Sequence, residues 1–248
     1  MSKNLYFASD FHLGSPSHKE SRKREDKIVR WLNAIEPTCS ELFLIGDVFD
    51  FWYEYKMVIP KGFIRLQGKL AAMADAGIKI YFFKGNHDMW VGDYFTIEMG
   101  IQIVSDEFII ERDGKRFYMH HGDGLGPGDH KYKFLRKVFR NPVCQWLFSL
   151  VPPRIGLGFG NWWSSRSRLH SNSEEVFMGL ENEWLAVYSK ELLLKQPIDY
   201  FIYGHRHLPL TLDLGNGSTY VNTGEWLHHC TYVEFDGKEL RLKYFEKD

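Results

Sequence analysis

The apolar positions of about the first 100 residues fall into short continuous runs separated by longer segments with helical periodicity. Continuous apolar runs of this kind are typical of buried strands, and they predict strands over residues 5–9, 42–45 and 78–83. In the segments between them, apolar residues recur at helical spacing and predict helices over residues 19–35 and 63–76. Strands that alternate with helices favour a parallel sheet, whose ligands collect beyond the carboxyl ends of the strands.

After about residue 100 the pattern changes to pairs of strands joined by short polar turns. The predicted pairs are residues 108–111 with 116–120, 210–214 with 219–222, and 230–235 with 240–245. A further strand is predicted over residues 200–203, preceded by a helix from about Ser173, a plausible N-cap, to about Lys195. This order favours an α/β fold in which two half-sheets face each other, each covered by outer helices.

Side chains able to ligate a metal follow five of the predicted strands. They are Asp10 and His12, Asp47 and Asp50, Asn86 and His87, His121, and His205 and His207. Asp10 and His12 are two residues apart, as are His205 and His207, and in an extended chain this spacing points both side chains the same way. We therefore expect each pair to converge on one point.

These residues have the composition of a two-metal centre. Asp47 supplies a carboxylate able to bridge two cations, Asn86 a neutral oxygen and His121 an imidazole. Seven ligands with one shared give two sites of four protein atoms each. Nitrogen and oxygen donors without thiolate suit Mn²⁺, Fe²⁺, Zn²⁺ or Co²⁺ better than Ca²⁺. Two such ions about 3.5–4 Å apart can clamp a phosphate and lower the pKa of a bridging water.

Charge is nearly balanced overall, at 31 basic and 32 acidic residues, which argues against a general nucleic-acid binder. Residues 131–168 differ, because they contain eight basic residues and no Asp or Glu. Three dispersed cysteines without a CxxC pair indicate a reducing compartment. The chain enters its first strand without a leader and has no apolar run long enough to span a membrane, so we expect a cytoplasmic protein.

In order and spacing, the motifs resemble the signature of the calcineurin-like metallophosphoesterases. They are D-x-H from Asp10, G-D-x-x-D from Gly46, G-N-H-D from Gly85, H-G-D from His121 and G-H-x-H from Gly204. The resemblance implies a four-layer αββα sandwich and two divalent ions, with Mn favoured and Fe, Zn and Co as alternatives.

The same resemblance implies a role for each residue. One ion would be held by Asp10, His12, Asp47 and His207, and the other by Asp47, Asn86, His121 and His205. His87 would protonate the leaving oxygen or steady the transferring phosphoryl group, with Asp50 orienting its ring. His120 is the alternative to His121 as a ligand, and His121 is preferred because it directly precedes Gly-Asp.

Four further features are the size of the chain, a helical insertion that starts at His121-Gly122-Asp123, an aspartate soon after it at Asp129, and a basic, aromatic-rich segment before the closing G-H-x-H motif. By these features the chain is similar, within that family, to the UDP-2,3-diacylglucosamine pyrophosphatases of lipid A synthesis. Those enzymes release UMP and a phosphorylated diacyl sugar, and their best-known members carry arginine where this chain has His87. The implied partners are the UDP-linked diacyl sugar and the anionic surface of the inner membrane, to whose cytoplasmic face the protein would attach peripherally. No nucleic acid and no obligate protein partner are expected. The implied substrate-binding residues are Asn86, His87, Asp129, Arg166, Arg168 and His205.

We expect a single phosphoesterase domain over residues 1–248, with a basic, aromatic-rich helical lid inserted at residues 124–170. A helix around residues 133–140 would carry apolar residues on one face and basic residues on the other, which suits an anionic bilayer or an acyl-chain substrate. Arg166 or Arg168 could reach a diphosphate. The alternative is a helical hairpin whose apolar face completes the core and whose basic face is solvated.

Two other functions compete with the lipid pyrophosphatase. One is a soluble phosphodiesterase or phosphatase acting on nucleotides or phosphoproteins at the same centre. The other is a non-catalytic scaffold, against which the complete ligand set and His87 count. A deep apolar channel beside the metals would favour the lipid, whereas a shallow polar cleft would favour the nucleotide.

Overall fold

The computed structural model describes residues 4–126, 130–171, 176–177 and 179–246, with the side chains of Lys131, Asn161 and residues 165–171 left out. The strands are β1 Asn4–Ala8, β2 Cys39–Leu44, β3 Lys79–Phe83, β4 Gln102–Val104, β5 Phe108–Arg112, β6 Lys115–His120, β7 Tyr200–Tyr203, β8 Leu210–Gly215, β9 Ser218–Asn222, β10 Thr231–Phe235 and β11 Leu240–Tyr244. The helices are α1 His18–Ile35, α2 Ile64–Asp75, α3 Tyr94–Met99, α4 His130–Arg140, α5 Pro142–Ser149, α6 Pro153–Ser171 and α7 Trp184–Leu193. The predicted strands and the first two predicted helices are confirmed, with boundaries shifted by at most three residues.

The strands form two sheets with parallel centres; the second has an antiparallel strand at each edge, and the first has antiparallel strands only at its β10–β11 edge. The first has the order β11-β10-β1-β2-β3-β4, with β1 to β4 parallel. The second has the order β5-β6-β7-β9-β8, with β6, β7 and β9 parallel. The first sheet thus takes two of its strands, β10 and β11, from the C-terminal end of the chain.

Alternating side chains along β1 show how the layers are built. Leu5 and Phe7 face the second sheet. They pack in one apolar cluster with Phe117 of that sheet and with Phe235 of β10. Tyr6 and Ala8 face the opposite way, into the cluster covered by α1 and α2. A third cluster lies between the second sheet and α7. The predicted αββα order is confirmed.

The buried stripe of α1 follows the predicted periodicity. Ile28, Trp31, Leu32 and Ile35 are all buried against the first sheet. The helix begins after Ser17, whose side chain accepts a hydrogen bond from the backbone N–H of Glu20.

Three helices, α4, α5 and α6, form an insert between β6 and α7, which we call the helical insert. The helix predicted around residues 133–140 is confirmed as α4. No helix in the described residues is both long enough and apolar enough to cross a membrane.

The helix predicted from about Ser173 to about Lys195 is confirmed only over α7, Trp184–Leu193. Ser173 itself lies outside the described residues, and the described residues from 179 to 183 are not helical. Gly179 has a φ of +95°, and Glu183 is extended, so that α7 begins only at Trp184. A left-handed glycine cannot continue a right-handed helix.

We expect the cluster between the sheets to carry much of the stability. Phe117 is fully buried against Phe7, Tyr200 and Phe235. Phe117→Ala should therefore lower the free energy of unfolding by about 3–5 kcal/mol. Phe134→Ala, at a side chain 69% exposed, should change it by less than about 0.5 kcal/mol. Denaturant unfolding of both variants checks this, and equal losses would contradict the assignment of the core.

Candidate metal centre

The polar side chains beyond the strand ends are carried on backbone that is not extended. Five of the seven predicted ligands have left-handed φ values: Asp10 at +55°, His12 at +43°, Asp47 at +53°, His205 at +68° and His207 at +52°. The extended geometry expected for the two pairs is therefore wrong. Left-handed turns bring Asp10, His12 and His207 together instead, and strained residues of this kind cluster at functional sites.

The first half of the centre is built by Asp10, His12 and His207. The Nε2 atoms of His12 and His207 are 3.0 Å apart, and Oδ1 of Asp10 lies 3.2 Å from His207 Nε2. His12 Nε2 is 3.7 Å from the same oxygen. Atoms that bind one ion at about 2.0–2.2 Å lie about 3 Å apart or slightly more, so this spacing fits a shared cation.

The second half is built around His121. Its Nε2 lies 3.1 Å from Asn86 Oδ1 and 3.4 Å from Asp47 Oδ2. The same Asp47 oxygen is 3.9 Å from His12 Nε2, in the first half. Asp47 therefore lies between the two halves, where a bridging carboxylate would be. The ring of His205 is 5.1 Å from that of His121, beside this half.

Charge and hydrogen bonding also fit a cation. Asp10 Oδ1 is buried and accepts no hydrogen bond from a described residue. Burial alone would raise the pKa of Asp47, but the charges of His121 and His87 lower it below its usual range. Burial would lower the pKa of His121, but the Asp47 carboxylate raises it to about 10. The buried Asp10 oxygen and the Asp47 carboxylate, which lies among imidazoles that stabilise its charged form, both favour the binding of a cation. A bound cation would displace protons from these imidazoles.

Three glycines of the sequence motifs leave the space that the ligands fill. A Cβ on Gly46 would lie 2.6 Å from His121 Nδ1, and one on Gly204 would lie 2.6 Å from Asp10 Oδ2. A Cβ on Gly85 would collide with the carboxylate of Asp47. Any side chain at these positions would displace a ligand.

A second set of residues holds the ligand loops, and the sequence did not assign them. Arg24 is buried and donates to the backbone oxygens of Phe11, His12 and Ser15 at 2.5–2.7 Å. Its position one turn before Ile28, on the apolar stripe of α1, was an available signal, because a charged residue on a buried face needs buried partners.

Asp88 ties two of the loops to each other. Its buried carboxylate accepts hydrogen bonds from the backbone N–H groups of Gly85 and Val48, both at 2.8 Å, and from those of Asp47 and Phe49, both at 3.3 Å. The loop after β2 and the loop after β3 are thereby held in register.

Two histidines are also fixed by their Nδ1 atoms. His121 Nδ1 is 2.8 Å from the backbone oxygen of Ile45, which leaves Nε2 facing Asp47 and Asn86. His120, the alternative ligand, accepts instead from the Gly122 N–H at 2.8 Å. The structure thus brings His121, rather than His120, to the cluster.

His87 lies beside His12 and Asp47, and 9% of its side chain is exposed. Its backbone N–H donates to Asp47 Oδ1 at 2.8 Å. Its Nδ1 is 3.0 Å from the backbone oxygen of Asp50 and 2.7 Å from Ser164 Oγ, whereas the Asp50 carboxylate is 3.9 Å away. Asp50 therefore contacts the ring of His87 through its carbonyl group, at a shorter distance than through its carboxylate.

An apolar cavity of about 460 Å³, which we call the aromatic cavity, opens beside the centre. The helical insert forms one wall, and the loops after β2 and β3 form the other. It is lined by Asp50, Phe51, Asn86, His87, Met89, Trp90, Tyr132, Leu135, Phe139, Phe159, Gly160, Trp162, Trp163 and Ser164. A site of this size and composition, with a few polar groups at one end, suits a ligand with a large apolar part.

Three predicted substrate contacts lie outside this description. Asp129 is not among the described residues, and only the backbone of Arg166 and Arg168 is described, within α6.

Comparison with known proteins gives one family. Residues 3–209 match the family model described as calcineurin-like phosphoesterase. UDP-2,3-diacylglucosamine hydrolase of Porphyromonas gingivalis is 35% identical over 260 residues, which cover 99% of each chain. The protein of that name from Serratia proteamaculans is 28% identical over 249 residues, covering 98% of this chain and 99% of its own.

The position of Asp47 between the two halves gives a direct test. Asp47→Ala should lower the amount of Mn²⁺ retained per chain at least tenfold at a fixed, limiting concentration of free metal, because both halves lose a charged ligand. Asp75→Ala, which removes an exposed carboxylate at the end of α2, should retain the wild-type amount. Elemental analysis after gel filtration measures both, and full retention by Asp47→Ala would contradict a bridging position.

Proposed function

The chain belongs to the calcineurin-like phosphoesterase family, and we propose that it is a metal-dependent hydrolase of lipid A synthesis. The proposed reaction is hydrolysis of the pyrophosphate bond of UDP-2,3-diacylglucosamine, which gives UMP and 2,3-diacylglucosamine 1-phosphate. The names of the full-length relatives support this substrate.

The observation that carries the proposal is the aromatic cavity beside the metal centre. Its wall is apolar apart from Asp50, Asn86, His87, Tyr132 and Ser164. A phosphorylated protein side chain would gain little from such a wall, whereas an acyl chain would bury its methylene groups there at about 0.8 kcal/mol each. The diphosphate would then lie at the polar end of the cavity, next to His87.

Each site residue has a proposed role. Asp10, His12, Asp47 and His207 would hold one divalent ion, and Asp47, Asn86, His121 and His205 the other, with Mn²⁺ as the proposed metal. Bound ions of this kind polarise a phosphoryl group and supply a water of lowered pKa. His87 would hold or donate a proton at the phosphoryl group, oriented by Asp50, while Asn86, His205, Asp129, Arg166 and Arg168 would contact the substrate.

The proposed domain arrangement follows from the position of the insert. Residues 1–248 would act as one phosphoesterase domain, in which residues 124–170 form a lid over the site. Leu135 and Phe139 of α4 and Trp163 of α6 face the aromatic cavity, which supports a role in substrate binding rather than a plain connection.

UMP release tests the substrate. We expect the Mn²⁺-loaded protein to release UMP from UDP-2,3-diacylglucosamine in detergent micelles with a kcat/KM at least 100-fold above that for bis-p-nitrophenyl phosphate. Leu135→Glu, which puts a charge into the aromatic cavity, should lower the lipid activity at least tenfold and change turnover of the soluble diester less than twofold.

The neighbouring Phe134→Glu is the matched control, because Phe134 points outward and is 69% exposed. It should leave both activities within twofold of wild type. Turnover of the soluble diester alone would contradict the lipid assignment and favour a soluble phosphodiesterase. In that case, loss of the diester activity on chelation and its full recovery on addition of Mn²⁺ would still support a metal-dependent hydrolase.

We also propose that the protein acts from the cytoplasm as a peripheral protein on the inner membrane. Large apolar side chains are exposed on α5, at its C-cap and on α6: Trp146 at 60%, Leu150 at 64% and Ile155 at 62%. The basic side chains Lys137 and Arg154 are exposed on the same insert. Exposed apolar and basic groups together favour an anionic bilayer surface.

The basic face of α4 contributes less to this than its sequence indicated. Arg136 and Arg140 both form ion pairs with Asp106, and Arg136 also lies 2.8 Å from the Asp123 carboxylate. These two arginines therefore attach the insert to the body, while membrane contact is assigned to α5 and α6.

Vesicle sedimentation tests the membrane contact. The double variant Trp146→Glu/Leu150→Glu should bind vesicles of phosphatidylethanolamine and phosphatidylglycerol at least tenfold more weakly than wild type, because it exchanges two apolar groups for charges. Ile97→Glu/Leu194→Glu, at exposed apolar residues on α3 and after α7, should bind as wild type does. Equal binding by all three proteins would exclude α5 as the contact surface.

A further inference from the structure

One face of α6 packs against the catalytic loops through residues spaced four apart. Gly156, Gly160 and Ser164 recur at this spacing and therefore lie on one side of the helix. A Cβ on Gly156 would collide with the Tyr55 hydroxyl, and one on Gly160 would collide with the ring of Phe51. The two glycines allow the backbone of α6 to approach the loop after β2 closely.

This close approach places Ser164 against the catalytic histidine. Ser164 is 3% exposed, and its Oγ is 2.7 Å from His87 Nδ1. The same nitrogen is 3.0 Å from the backbone oxygen of Asp50. Among the described residues, His87 Nδ1 therefore has two hydrogen-bonding neighbours, one from the phosphoesterase body and one from the helical insert.

The Asp50 carbonyl allows one tautomer of His87, whereas the Ser164 hydroxyl, which can accept or donate, allows both. The Asp50 carbonyl can only accept, so a hydrogen bond to it needs a proton on Nδ1 and leaves Nε2 of the neutral ring without one. The Ser164 hydroxyl can donate to an unprotonated Nδ1, which puts the ring proton on Nε2. Only the second arrangement lets a neutral His87 donate a hydrogen bond from Nε2 to a phosphoryl oxygen.

We propose that Ser164 is a positioning residue that donates its hydroxyl hydrogen to His87 Nδ1 and so keeps the ring proton on Nε2, facing the reacting phosphate. This inference rests on the proposed role of His87 and deepens it. It makes the orientation of the histidine depend on contact between α6 and the body. Gly160 and Ser164 also line the aromatic cavity. The helix that contacts the lipid would therefore also fix the orientation of His87.

Kinetics of three variants test the proposal. Ser164→Ala should lower kcat for bis-p-nitrophenyl phosphate about tenfold or more, with KM within twofold of wild type, because proton donation weakens while binding does not. Ser164→Thr keeps the hydroxyl and should stay within threefold of wild type. Ser149→Ala, whose hydroxyl donates to the Trp146 backbone oxygen on α5, should be unchanged. A wild-type kcat for Ser164→Ala would overturn the proposal.

Imidazole ¹⁵N NMR supplies a readout that a purely structural role would not move. The His87 signals are assigned by their absence in His87→Gln, with Zn²⁺ as a diamagnetic metal. Wild type should show an unprotonated, hydrogen-bonded Nδ1, and Ser164→Ala should show a protonated Nδ1. A protonated Nδ1 in wild type would overturn the proposal. Because neither the soluble diester nor the spectrum involves the lipid, failure of the lipid assignment would leave this test intact.

Discussion

The structure depends on bringing acidic and imidazole side chains from five loops into one buried cluster. Asp10, His12, Asp47, His205 and His207 all adopt left-handed backbone, which costs a residue with a Cβ about 1–2 kcal/mol. Asp47 is additionally almost fully buried. Such a cluster is stable only if positive charge compensates its carboxylates, which is the physical reason to expect metal ions there.

The rest of the fold supplies the rigidity that this arrangement needs. Parallel strands from both sheets end at one edge, and backbone contacts across that edge, such as Gly204 N–H to His121 oxygen, join the loops. Arg24 and Asp88 then satisfy backbone groups that the loops leave unpaired. The helical insert closes one side and adds an apolar surface. The same edge of the molecule therefore carries both the cluster of metal-ligating side chains and the aromatic cavity.

The sequence predicted where the ligands lie better than how they are held. Strand runs that end in Asp, Asn or His identified the site, because the carboxyl ends of parallel strands share an edge. The two-residue spacing of Asp10 and His12 gave the right convergence for the wrong reason, since left-handed turns are not visible in residue spacing. The signal for Arg24 was present in the apolar stripe of α1, which it shares with Ile28. The contact of Ser164 with His87 had no such signal, because it joins distant segments of the chain, as does the pairing of Arg140 with Asp106.

The central claim is that the loops hold two cations with Asp47 between them. Anomalous diffraction from crystals grown with Mn²⁺ measures this most directly. The account predicts two peaks, one contacted by Asp10, His12 and His207, the other by Asn86 and His121, with Asp47 contacting both. A single peak, or two peaks without Asp47 between them, would contradict it.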